Sequence, residues 1–168
     1  MKKAARKKLI EWTINGLLIV LVAVLAWHHF GPGKQQATRS GEARWSELSV
    51  VATVEVADDE QTIARGLMGR DALPRDSGMY FVYKESAVRT FWMKNTRIPL
   101  SIAFIDADGV IASIKDMEPF DETLVSSEVE VKDALEMNQG WFAANDVRKS
   151  DRAELKDGQV HFYRRTRR

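Results

Sequence analysis

The chain contains no cysteine, which removes disulfides, zinc-thiolate sites and thiol nucleophiles together. Neither redox compartment is excluded, because exported proteins often manage without bridges. Histidine is nearly as scarce, with only His28, His29 and His161. Two lie beside an apolar segment and one near the C-terminus, so neither a His-based triad nor a zinc site is available. Net charge is small as well, +1 with 29% charged residues. No field of one sign argues for nucleic acid or an acidic partner. There is also no M-x-M or M-x-x-M repeat, although Met68, Met79, Met93, Met117 and Met137 fall in separate elements. They read as core filler rather than soft-metal ligands. No cofactor is expected.

What base there is gathers at the two ends. Lys2, Lys3, Arg6, Lys7 and Lys8 open the chain, and Arg164, Arg165, Arg167 and Arg168 close it. Between Glu11 and Lys34 no charged side chain occurs, and 13–27 is almost wholly apolar. A bilayer core of roughly 30 Å needs about 20 such residues as a helix. Trp12 and Trp27 bracket the span at interfacial depth, and the basic opening predicts a cytoplasmic N-terminus by the positive-inside rule. The layout expected is a basic segment 1–12, a transmembrane anchor or signal segment 13–30, a flexible linker 31–46, a globular domain 47–163 and a basic tail 164–168. The domain is then periplasmic, held by a single-pass inner-membrane anchor; cleavage near Val24-Leu25-Ala26 is the alternative and would secrete it.

Residues 47–57 alternate and are rich in Val, the mark of a half-buried strand. Asp58 and Asp59 offer N-cap oxygens to a short helix from about Glu60 to Met68. At its weak end Arg65 and Arg70 flank Gly66 and Gly69, either as an exposed capping arrangement or as a donor pair. Strands follow at 78–83 and 88–93, joined by a hairpin at Lys84–Ala87, then at 101–106 and 110–115. Asp106-Ala107-Asp108-Gly109 is a hairpin turn rather than a calcium loop, since no carboxylate stands at the bidentate position. Val129–Met137 is ambiguous and is assigned as a strand; a short helix at 140–145 buries Trp141 and Phe142, and one or two edge strands follow. The fold class expected is α+β: mainly antiparallel sheet curled into a partial barrel with two short helices, plus the N-terminal transmembrane helix.

One stretch departs from ordinary strand composition. In T-F-W-M-K-N-T-R-I-P-L, Phe91, Trp92 and Met93 run directly into Lys94, Asn95, Thr96 and Arg97. Rings supply contact area and the polar tips supply donors for an anionic or carbonyl-bearing group.

These motifs carry a resemblance. R-G-L-M at 65–68, G-M-Y-F at 78–81, F-W-M-K-N-T at 91–96, I-P-L at 98–100, F-I-D-A-D-G at 104–109 and A-L-E at 134–136 with Gly140 are similar, in order, to the pattern of the DUF192 (UPF0127) proteins. The likeness spans roughly 50–151, and the F-W-M-K-N-T hexapeptide is its most specific part. It implies a compact, mostly antiparallel β domain, often secreted or membrane-tethered, and implies no activity. Ser101 stands where many relatives carry Asp, and Ser150 precedes Asp151 where a Gly-Asp turn is usual. The first departure removes a candidate carboxylate from the central site.

Three functional expectations result, and no catalytic constellation is identifiable among the residues. The first is a binding domain whose cleft uses Met79, Phe91, Trp92 and Met93, with Arg65, Arg70, Lys94, Asn95 and Glu136 orienting a small polar, glycan or envelope-derived ligand. The second is a hydrolase or transferase using Glu136, with Lys94 and Asn95 steadying negative charge. The third is a scaffold for a protein partner, in which those polar groups serve only the fold, Arg65 paired with Glu136.

Overall fold

The computed structural model describes residues 44–166. The expected transmembrane or signal segment, 13–30, lies outside the described residues. Among the described residues no helix is long and apolar enough to cross a membrane.

Seven strands and two helices follow in the order β1 (Arg44–Ala57), α1 (Glu60–Arg65), β2 (Ser77–Phe91), β3 (Leu100–Ile105), β4 (Ile111–Met117), β5 (Val125–Asn138), α2 (Trp141–Ala144), β6 (Arg152–Lys156) and β7 (Gln159–Thr166). They build one sheet in the order β4-β3-β5-β2-β1-β7-β6. The β1–β2 pair is parallel and the other neighbours are antiparallel. A bridge between Val110 and Arg152 brings the β4 and β6 edges together at one end. There the Ile111 amide donates to the Asp151 carbonyl and the Ala153 amide to the Gly109 carbonyl, both at 2.8 Å. The result is a half-barrel.

The α+β class is therefore corrected to a mostly-β architecture, while the membrane helix added to it falls on 13–30, outside the described residues. The two helices have only six and four residues. Asp59 starts α1 by accepting from the Gln61 and Thr62 amides at 2.9 and 3.0 Å. Gly66, at φ 50° and ψ −135°, ends it after Arg65, because this positive-φ backbone, open to glycine, breaks the hydrogen-bond ladder. Leu67 and Met68, expected on a helix face, follow as loop, with Leu67 buried.

The expected hairpin at Lys84–Ala87 is also absent. β2 runs through it as one strand of 15 residues, paired to β5 on both sides of a register shift between Val82 and Ala87. The polar residues 83–86 are an irregularity in a long strand rather than a reversal.

Alternation along the central strands sorts the interior into two clusters, one on each face of the sheet. Tyr80, Ala103, Ile105, Leu135 and Met137 pack with Trp141, Phe142 and Phe162 on one face. Met79, Phe81, Ile102, Phe104, Val131 and Ala134 pack with Leu67 and Met93 on the other. Both faces are covered there, so Ala134–Met137 of β5 are buried at every position and lose the period that marks a strand.

Candidate functional site

β5 is an interior strand, paired on both sides at this point: Glu136 lies opposite Met79 on β2 and opposite Ile102 on β3. Its parity with Ala134 sends its side chain to the face covered by α1 and by the 92–96 turn. There a cavity of about 250 Å³ opens between α1, the 66–68 loop and β2. Phe81, Tyr83, Phe91 and Trp92 supply its aromatic wall, Ile63 and Leu67 part of its aliphatic wall. Phe81 and Phe91 meet edge to face with centroids 5.1 Å apart, which fixes both rings.

Glu136 is 5% exposed. Among the described residues its carboxyl has neither a hydrogen bond nor an ion-pair partner, and burial alone pushes its pKa up to about 8. At neutral pH it is chiefly a carboxylic acid, with one O–H to donate and lone pairs to accept. The Tyr83 hydroxyl is shifted upward first by burial, with the negative charge of Glu136 a smaller contribution. Arg89 stacks on the Tyr83 ring at 3.8 Å. Arg65, in the last turn of α1, stands exposed at the cavity mouth.

In the F-W-M-K-N-T segment Phe91 ends β2, and the remainder forms a turn rather than strand. Its main chain is tied down: the Met93 amide donates to the Asp121 carbonyl at 2.8 Å, and the Asn95 carbonyl accepts from the Gly69 amide at 2.9 Å. Asn95 takes φ 54°, a conformation Asn tolerates better than most residues. Its side chain and that of Lys94 are exposed. Lys94 Nζ sits 5.0 Å from the Trp92 ring centre, and Trp92 is itself 43% exposed.

Of the residues singled out from the sequence, Arg65, Phe91, Trp92 and Glu136 line the cavity. Met79 and Met93 are core side chains. Lys94 and Asn95 lie on the turn but not on the cavity wall. Arg70 is committed elsewhere, donating from both terminal nitrogens to the two Glu55 oxygens at 2.6 Å. That pair is what holds the Glu55 carboxyl below the ordinary carboxylate range. Among the described residues no ion pair joins Arg65 to Glu136, and Lys94 and Asn95 do not share the cavity wall with Glu136. Ser101 belongs to the opposite side: its hydroxyl donates to Asp116 and accepts from the Gly140 amide at 2.8 Å. An Asp at that position would add nothing to this cavity.

Tyr83, Thr90 and Thr96 line the cavity and were not anticipated. The signal for Tyr83 is the two-residue spacing Met79, Phe81, Tyr83, which shares one face of the strand already expected at 78–83.

A family model covers residues 42–155, that of DUF192, described as "Uncharacterized ACR". The chain belongs to the DUF192 family. Two solved structures resemble this DUF192 domain. One, a candidate transcription regulator from Sinorhizobium meliloti 1021, is 32% identical, with 66% of this chain and 92% of that chain covered at a TM-score of 0.59. The other, a protein of unknown function from Novosphingobium aromaticivorans DSM 12444, is 31% identical, with coverages of 66% and 83% and a TM-score of 0.62. No curated protein matches the chain.

Proposed function

We propose that the DUF192 domain is a small-molecule-binding module and that the cavity beneath α1 is its site. The observation that carries this reading is Glu136: a carboxyl on an interior strand, almost fully buried, without a partner among the described residues, and facing open space. A carboxyl held in so confined a space loses most of its hydration, which costs stability unless a partner replaces it. Leu or Met at 136 would fill the same position without that cost. Retaining a carboxyl there suits a group that receives its partner from outside the chain. The cavity is smaller than the roughly 300–1,000 Å³ of drug-sized sites, which restricts the ligand to a small metabolite. Aromatic wall and single polar floor match the usual division of labour in such sites, with area from the rings and orientation from one group.

Screening the full chain by thermal shift against a small-molecule set tests this, alongside an Ala64→Trp variant whose indole occupies the cavity from α1. Compounds binding here stabilise the wild type and lose their effect on the variant. If the variant responds to every compound as the wild type does, the cavity is not a binding site and the scaffold reading replaces it.

A further inference from the structure

Resting on that reading and going further, we propose that the cavity takes a zwitterionic small molecule, its ammonium group against the Glu136 carboxyl and its acid group toward Arg65 at the mouth. Four rings line the space, Phe81, Tyr83, Phe91 and Trp92, and ring faces attract organic cations within about 6 Å. Two of them already hold a cation of the protein: Arg89 lies 3.8 Å from the Tyr83 centroid and Lys94 5.0 Å from that of Trp92. Glu136 is the one carboxyl on the lining and Arg65 the one cation. The cavity is therefore polarised, with an acid at its floor and a base at its rim.

Other ligand classes satisfy less of this. A purely apolar molecule leaves the carboxyl unpartnered. An anion can accept from the protonated Glu136 O–H but leaves the attraction of the rings for cations unused. A simple cation satisfies the floor and approaches Arg65 with like charge. A molecule bearing both charges answers the floor, the walls and the rim together.

Binding of this kind is coupled to a proton. Burial keeps Glu136 protonated at neutral pH, and an ammonium beside it favours the ionised form, so the carboxyl loses its proton to solvent as the ion pair forms. The charged or titratable groups facing it are Tyr83 from β2 and Arg65 from α1; Ile102 on β3 and Thr96 on the turn carry none. Affinity therefore rises with pH until Glu136 is ionised in the free protein.

Calorimetric titration of the full chain with glycine betaine and carnitine tests this, because both probes keep their charges unchanged near neutrality. Choline and isovalerate serve as single-charge controls. Affinity for the zwitterions is expected to rise about tenfold per unit between about pH 6 and pH 8 and then level off. One proton is expected to be released, as read from two buffers of different ionisation enthalpy. Glu136→Gln removes the pH dependence and the release, while Arg65→Ala lowers zwitterion affinity to that of choline and keeps the release. The proposal is overturned if neither zwitterion binds, if affinity falls as pH rises, or if choline or isovalerate binds as tightly. Should other compounds still require the open cavity in the Ala64→Trp comparison, only the charge assignment falls and the binding site stands.

Discussion

Replacing Glu136 by Gln is expected to reverse part of a pH dependence built into the fold. In the folded protein its pKa is about 8, against 4.5 for the free side chain. Between those values the folded state holds a proton that the unfolded chain has released, so wild-type stability falls as pH rises. The sign follows from the raised pKa: the favourable contribution is complete below about pH 4.5 and is lost as pH climbs through about 8. The slope is about 1.4 kcal/mol per pH unit, which accumulates to about 3 kcal/mol by neutrality. Gln keeps the size and a donor but cannot ionise. The measurement is urea unfolding of the full-length wild type and Glu136→Gln at intervals from about pH 5 to about pH 8. The variant should gain about 3 kcal/mol on the wild type across that range. Carboxylates held low by partners, such as Glu55, Glu128 and Asp146, titrate below the window and cancel in the difference. A stability difference that stays constant with pH would refute the argument, because it would mean that Glu136 is ionised, and satisfied, in the folded protein.

Three further outcomes follow from the geometry. Ser150 takes φ 73°, which an L side chain adopts at a cost of roughly 1–2 kcal/mol. Ser150→Gly should raise stability by about 0.5–1 kcal/mol after the extra freedom of the unfolded glycine is counted, read from the urea midpoint. Gly78 has no room for a Cβ, which would overlap the Glu136 carbonyl oxygen and the Met137 sulfur; Gly78→Ala should cost more than about 2 kcal/mol by parting β2 from β5, seen as a lowered Tm. Asp151, 2% exposed, accepts from Arg164 at 3.0 and 2.8 Å and from the Arg148 amide at 3.0 Å; Asp151→Ala should lower unfolding free energy by about 1–3 kcal/mol, because the Arg148 amide loses its acceptor while the half-buried guanidinium keeps Asp146.

A good part of this protein could be read from residues in order. The Val-rich alternation at 47–57 became β1, Asp59 caps α1 as its position before the helix required, and Asp106–Gly109 turns β3 into β4. The ordered motifs around F-W-M-K-N-T carried the family. Each of these depends on neighbours a few residues apart, where local sterics and hydrogen bonds suffice. The departure at Ser150 was also visible, and its left-handed backbone explains why glycine suits that place.

The site itself was decided elsewhere. Glu136 was among the candidates, yet its isolation depends on pairing between β5 and both β2 and β3. Tyr83 closed the strand expected at 78–83, and its place on the cavity wall depends on how α1 and the 66–68 loop cover β2. Arg70 belongs to Glu55, a residue on another strand, and Met79 and Met93 were claimed by the core. Ser101 turned to the opposite face. Composition excluded thiol and histidine chemistry from the outset, and periodicity marked most of the strands. Which side chains share a cavity followed from cross-strand register, since a shift of one residue sends every side chain to the other face and no local preference sets that choice.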